Sequence, residues 1–462
     1  MDEPVDVVVL GLGPGGEDAA GTLAEAGLDV VGIDGGLVGG ECPYWGCVPS
    51  KMMIRAADLL AEGRRIPGMA GSSTITPDWS VVARRIRDDA TDDWDDRVAV
   101  ERLEGRGARF VRGWGRLDGP GRVTVGDRTF VASRAVLVNT GTKPWVPPIA
   151  GLDGTPYWTN REAIEVEDLP ASLVVLGGGA IGVELAQMFA RFGVAVTVVE
   201  VGPRLVAAEE PEACDLLAAT FADEGIDVRA GVTVDHIDHT AGSGDAAGRF
   251  TLRIAEHGDV VGDRLLVATG RRPDLAALGV ATVGLDDTAR SIPVDGRLRV
   301  APGLWAIGDV TGQGAFTHVS MYQARIAVAD ILGREPATAD YRALPRVTFT
   351  DPEVGAVGLT EAQARQRGLT VRIGHTNLAE STRGWIHKAG NAGFIKLVED
   401  ADRRVLVGAT SAGPTGGEVL GLLALAVHAE VPTARLADMI YAYPTFHRAV
   451  EAAVGDLENP AN

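Results

Sequence analysis

The chain has 462 residues, 46% of them hydrophobic and 23% charged, enough for about three domains of roughly 150 residues with buried cores. A formal charge of −20 excludes a surface built to bind nucleic acid or anionic lipid. No apolar run approaches the roughly 18 residues needed to cross a bilayer; the longest, around Val419 to Val427, has polar neighbours at both ends. Met1-Asp2-Glu3-Pro4 leads straight into an apolar stretch with no basic segment, which predicts a cytoplasmic protein without a secretory leader.

In chain order, Val5 to Leu10 reads as a strand, Gly11-Leu12-Gly13-Pro14-Gly15-Gly16 as a turn, Glu17 to Ala26 as a helix and Leu28 to Ile33 as a second strand ending at Asp34. The design returns as strand Leu173 to Leu176, turn Gly177-Gly178-Gly179-Ala180-Ile181-Gly182, helix Val183 to Phe192 and strand Val194 to Val199 ending at Glu200. In both copies the acid follows the first glycine by 23 residues. One such turn is weak evidence, but two with strand, helix and acid in order predict two dinucleotide sites. The glycines (Gly11, Gly13, Gly16; Gly177, Gly179, Gly182) let the backbone close on a pyrophosphate, the helix N-terminus adds partial positive charge, and the acids accept from ribose hydroxyls.

Between the two copies lies Glu41-Cys42-Pro43-Tyr44-Trp45-Gly46-Cys47-Val48-Pro49-Ser50-Lys51, which holds two of the three cysteines. In a reducing compartment so close a pair is catalytic or metal-binding rather than structural. A zinc or iron site needs about four ligands, and no further cysteine or histidine pair stands nearby, so no metal is expected. Cys214, alone in a predicted helix, reads as a small hydrophobe. Further on come Ala268-Thr269-Gly270-Arg271 and Leu304 to Asp309, a short buried strand ending in Gly308-Asp309. From about Asp340, strands at Arg346 to Phe349, Gly393 to Val398 and Val405 to Thr410 alternate with helices at Gly417 to Ala429 and Thr445 to Val454. The predicted fold class is α/β: two Rossmann-like dinucleotide-binding domains plus a separate C-terminal α+β domain, which the resemblance below implies to be a dimerisation domain.

Taken in order, these pieces resemble the flavoprotein disulfide reductases over essentially the full length. The anchors are Gly11-x-Gly13-x-x-Gly16, Cys42-x4-Cys47-Val48-Pro49-Ser50-Lys51, Thr140-Gly141, Gly177-x-Gly179-x-x-Gly182-x-Glu184, Ala268-Thr269-Gly270-Arg271, Ala306-Ile307-Gly308-Asp309 and Thr350-Asp351-Pro352-Glu353. The resemblance implies FAD in residues 1–150 and 268–338, a nicotinamide nucleotide in residues 151–267, and a homodimer formed through residues 339–462. It implies that Asp34 binds the adenosine ribose of FAD, that Gly115, Thr140 and Gly141 line that cofactor, and that Asp309 holds its ribityl or pyrophosphate region. Gly270 belongs with the same set. Lys51 is implied near the flavin and paired with Glu184 beside the nicotinamide. Cys47 is implied to face the flavin and Cys42 to exchange with substrate. Glu200 points to NADH over NADPH, because a carboxylate repels a 2′-phosphate; Arg204, four residues on, is read as a surface residue.

The pattern breaks near the C-terminus. Family members that handle dithiols end in His-Pro-Thr-x-x-Glu, the His acting from the partner subunit, whereas this chain has Tyr443-Pro444-Thr445-Phe446-His447-Arg448. A phenol with a pKa near 10 is a poor general base at neutral pH, while an imidazole near 6.5 is well matched. Oxidation of a dihydrolipoamide-type dithiol is therefore expected to be slow. His447 is the alternative proton carrier, read as a residue on the face of the following helix. The leading expectation is an FAD-dependent NAD(P)H oxidoreductase that passes electrons through a Cys42–Cys47 disulfide to a small-molecule or protein-bound disulfide or related acceptor. The alternative is a diaphorase, quinone reductase or transhydrogenase whose flavin reduces the acceptor directly, and a third is a flavin-bearing sensor with little turnover.

Overall fold

The computed structural model describes residues 2–242, 248–335 and 337–459, and the chain forms two compact units. The first takes the residues up to Ser50, then Ala83–Trp145 and Gly270–Asp340; the second takes Lys51–Val82, Val146–Thr269 and the residues from Tyr341 on. Lys51–Val82, which the sequence assigns to the first domain, thus packs within the second unit.

In the first unit the sheet order is Arg299–Ala301, Leu304–Ala306, Arg128–Val138, Asp2–Leu10, Val30–Asp34 and Arg109–Arg112, parallel throughout except for the first pairing. A sheet covered on both faces needs apolar residues at successive positions. Asp2–Leu10 supplies them in alternation: Val7 and Val9 join one core cluster with Leu23, Leu103 and Ile307, while Val8 and Leu10 join another with Ile33, Phe130 and Val136. Helices Pro14–Glu25 and Thr317–Ile331 pack so closely that a Cβ on Gly15 would lie 2.2 Å from Ser320 Oγ.

The second unit holds a four-stranded parallel sheet, Asp227–Ala230, Ala195–Glu200, Ser172–Leu176 and Arg264–Val267, and a three-stranded antiparallel one, Val234–Thr240, Arg249–Ile254 and Val260–Gly262. Its C-terminal part is a five-stranded antiparallel sheet, Pro345–Thr348, Glu353–Gly358, Val405–Gly413, Phe394–Asp400 and Val371–Asn377, on which helices Gly416–His428 and Ala449–Asp456 pack. The fold is therefore α/β, with two Rossmann-like modules and a C-terminal α+β domain. Among the described residues no helix is long and apolar enough to cross a membrane.

Two differences from expectation have plain causes. Both dinucleotide turns enter their helices about one turn earlier than predicted, at Pro14 and Ala180, because the last glycine of each turn already lies within the first helical turn. Pro14 fits there because an N–H at the first helical position has no intrahelical partner to lose. The last helix starts at Ala449, not Thr445. Thr445 Oγ1 accepts from Arg448 N at 3.3 Å, and Ala449 and Val450 donate to Phe446 and His447 three residues back, so residues 445–448 form a tight turn.

Candidate active site

Each glycine turn closes because a side chain would not fit. Gly11 (φ +94°) and Gly177 (φ +115°) occupy the left-handed region, and a Cβ on either would lie 2.4 Å from the carbonyl oxygen of Asn139 or Ala268. A Cβ on Gly16 or Gly182 would fall 2.0 Å from the carbonyl oxygen of Gly11 or Gly177. Neither helix that follows has a side-chain cap, so the first-turn N–H groups of Pro14–Glu25 and Ala180–Arg191 keep their donors for another acceptor. A Cβ on Gly179 meets no heavy atom within 4 Å, leaving an open cradle at the second of these helix starts. These residues fit a pyrophosphate in both places.

At the ends of the second strands the acids brace the turns. Asp34 accepts from Leu12 N (2.6 Å) and Gly36 N (2.7 Å); burial pushes its carboxyl above the usual range, and those two N–H groups oppose the rise. Glu200 accepts from Gly178 N and Gly202 N. Arg204 turns to Asp215 at 3.6 Å, in keeping with a surface residue. Gly115 packs inward, where a Cβ would lie 2.4 Å from Leu10 Cδ1, while Trp114 lies 83% exposed with its indole against Gly35. Trp114 thus presents an exposed ring beside Gly35, the residue after Asp34. Thr140 and Gly141 (φ +61°) follow strand Arg128–Val138, and Gly270 (φ +114°) accepts from Trp145 N at 2.9 Å.

Asp309 is also buried, which raises its carboxyl; Thr142 Oγ1, donating at 2.9 Å, and the charge of Arg271 work against that rise. Arg271 donates to Thr142 O at 2.6 Å and reaches Glu41 at 3.5 Å, so a polar chain runs from Asp309 to the residue before Cys42. Asn139, Thr142 and Glu41 were not anticipated. A polar residue closing the apolar strand end Ala135–Val138 was the available sign for Asn139, whose amide donates to Gly11 O (3.3 Å) and Gly13 O (3.4 Å).

The two cysteines stand as thiols. Cys42 lies in the short helix Glu41–Tyr44, and Cys47 opens the helix Cys47–Arg65. Thr317 Oγ1 sits 3.6 Å from Cys47 Sγ. Hydrogen bonding to the Cys47 sulfur, then burial, push the Cys42 thiol well above its ordinary value, with the Thr317 hydroxyl opposing. No local pattern flagged Thr317, which is 270 residues from Cys47 in sequence. Cys214 is buried, its Sγ 3.4 Å from Glu210 O.

Within the second unit Lys51 Nζ meets Glu184 Oε2 at 2.7 Å and lies 4.7 Å from the centre of the Phe349 ring. Glu184, 5% exposed, also accepts from Phe349 N at 2.8 Å. The pair expected from sequence is thereby brought together. Tyr443 is 65% exposed, with the Arg448 guanidinium 5.3 Å from its ring centre and Arg448 also paired to Glu451 at 3.1 Å. His447 is not on a helix face as expected; it lies in the turn before Ala449, half-buried, its ring 6.2 Å from that of Tyr441.

Comparison with known proteins agrees with this geometry. The family model described as pyridine nucleotide-disulphide oxidoreductase matches residues 5–327, and the model of that family's dimerisation domain matches residues 344–454. The chain is 32% identical to the dihydrolipoyl dehydrogenase of Chlorobaculum tepidum over 459 residues, 98% of this chain and 96% of that one. It is 34% identical to the mercuric reductase of Shigella flexneri over 455 residues, covering 97% and 80%. Among solved structures, the HOCl-induced flavoprotein disulfide reductase RclA from Escherichia coli, as its Cu(II) complex, superposes with a TM-score of 0.85 at 27% identity, covering 98% of this chain and 99% of that one. LpdA from Mycobacterium tuberculosis gives 0.85 at 26% identity, with the same coverage. With both family models matched across the chain, it belongs to the pyridine nucleotide-disulphide oxidoreductases, a family of FAD- and NAD(P)H-dependent oxidoreductase enzymes.

Proposed function

We propose that this enzyme acts as a homodimer and uses Cys42 and Cys47 as a redox-active pair that reduces a disulfide or related acceptor at the expense of NADH. The observation that carries the reading is the thiol cluster itself: Cys42 hydrogen-bonded to the Cys47 sulfur, with Thr317 beside both. When bound, FAD supplies two-electron carriage between a reduced nicotinamide and a disulfide. Asp34, Asn139 and the Gly11–Gly16 turn would hold its adenosine and pyrophosphate side, and Asp309 with Thr142 its ribityl side. Reduced Cys42 and Cys47 would attack an acceptor disulfide through Cys42. The acceptor leaves as thiol and thiolate, and the protein pair closes to its own disulfide. Glu200, which closes strand Ala195–Glu200, supports the choice of NADH, since a carboxylate at the end of that strand would repel a 2′-phosphate.

Tyr443 suits acceptor reduction better than dithiol oxidation. A phenol near pKa 10 protonates a leaving thiolate far better than it removes a thiol proton at neutral pH. That favours electron flow out to an acceptor over oxidation of a dithiol substrate.

The test is an anaerobic titration of the holoenzyme with NADH, with Cys42→Ser in parallel. Wild type is expected to take up two NADH equivalents and to develop long-wavelength absorbance from a thiolate beside the flavin. Full bleaching after one equivalent, with no such absorbance, removes the dithiol from the circuit. A steady-state panel of lipoamide, glutathione disulfide, a naphthoquinone and thio-NAD, with NADH and NADPH, then locates the acceptor. An acceptor reduced as fast by Cys42→Ser takes its electrons from the flavin directly.

A further inference from the structure

The helices that carry Lys51 and Glu184 are tied a second time. Lys51 and Asp58 lie seven residues apart on helix Cys47–Arg65, and Glu184 and Arg191 lie seven apart on helix Ala180–Arg191. Seven residues are about two helical turns, so each pair of side chains shares a face. Lys51 meets Glu184 at 2.7 Å, and Asp58 meets Arg191 at 2.6 Å with the polarity reversed. Arg191 is 3% exposed and holds three carboxylates: Asp58, Glu224 through two nitrogens (2.6 and 3.0 Å) and Asp351 at 2.8 Å. Asp351 also takes Arg65 at 2.6 Å, and its backbone exchanges two hydrogen bonds with Gln187 (2.8 and 2.9 Å). Two residues earlier in the same strand end, Phe349 N donates to Glu184.

We propose that the buried Arg191 node, with Asp58 and Asp351, is the positioning device of the Lys51–Glu184 pair: it fixes the register of the two helices and the Phe349 N–H on which the Glu184 carboxylate is aimed. This rests on the role given to that pair above. Removing one partner from a buried charge network leaves the others uncompensated, and among the described residues the Glu184 carboxylate is met by Lys51 Nζ and Phe349 N. The charged groups facing Asp58 include Arg191, Asp351 and Glu353, with Arg55 and Arg65 on its own helix. Its carboxyl is pushed up to about 6, chiefly by burial, so acid weakens this second tie.

The test uses the holoenzyme and compares Arg191→Lys and Asp58→Asn in the wild-type and Glu184→Gln backgrounds. One readout is the rate of flavin bleaching by NADH in stopped flow. The other is amide hydrogen exchange of the peptide spanning Phe349 to Asp351 in the protein without nucleotide. Arg191→Lys is expected to slow bleaching about tenfold in the wild type and less than twofold in Glu184→Gln, a non-additivity that marks residues acting through one another. Exchange at Phe349 should quicken about tenfold in both single variants. An equal loss of rate in both backgrounds, or unchanged exchange, would overturn the positioning role while leaving the Lys51–Glu184 pair intact. A Glu184→Gln enzyme as fast as wild type would instead overturn the pair's role, and this inference with it.

Discussion

Gly179 tests where the nucleotide pyrophosphate lies. Its φ of −77° and ψ of 178° suit any residue, and a Cβ there meets nothing within 4 Å. Alanine therefore fits the chain, and the freedom it removes from the unfolded state stabilises the fold by about 0.4–1 kcal/mol. The same methyl projects into the open cradle at the uncapped start of helix Ala180–Arg191. Losing one hydrogen bond to a charged oxygen costs about 1.5–3 kcal/mol, which is roughly a tenfold to hundredfold weaker affinity for NADH. Gly182→Ala moves stability the other way. Its Cβ would lie 2.0 Å from Gly177 O, a backbone atom that cannot swing aside, and overpacking of that kind costs about 1–3 kcal/mol. Urea unfolding and a fluorescence titration with NADH measure both quantities on the same samples. Opposite signs in stability with weakened binding in both variants is the expected pattern. A Gly179→Ala enzyme that binds NADH as tightly as wild type would refute the placement of the pyrophosphate in that cradle.

Two further outcomes follow from buried charge. Lys396, 3% exposed, holds Glu210 (3.0 Å), Glu212 (2.6 Å) and Glu361 (3.0 Å). Lys396→Met leaves buried Glu210 without its cation, while Glu361 keeps Arg365, and should cost about 3–5 kcal/mol in urea unfolding; a change below about 1 kcal/mol would show that these carboxylates rearrange freely to water. Asp58 titrates near 6 in the folded chain, above its unfolded value, so the folded state binds the extra proton between those values and gains stability as pH falls through that window. Thermal unfolding of wild type and Asp58→Asn at about pH 7.5 and about pH 5 should show wild type improving relative to the variant on acidification; a constant difference would place the Asp58 carboxyl in the ordinary range.

The sequence determined whatever is short-range. Each dinucleotide turn is complete within about 25 residues of strand, glycines, helix and acid, because backbone sterics at Gly11 and Gly16 and the uncapped helix start act over a few residues. The continuous apolar Val7–Leu10 run declared a strand for the same local reason, and the structure buries it on both faces. The sequence also carried the dithiol spacing and the odd Tyr443, and spacing with resemblance matched Lys51 to Glu184, 133 residues apart. Where the last helix begins was misread, because a single Thr445 side-chain bond and the turn it closes outweigh helical periodicity at residues 445–448. Only the tertiary structure brought Thr317 to the cysteines, ran the chain of contacts from Asp309 through Thr142 and Arg271 to Glu41, and sank Arg191 among three carboxylates. Those contacts join residues more than a hundred positions apart or depend on how deeply a charge is buried. Desolvation and long-range pairing are properties of packed elements, and no periodicity along the chain encodes them.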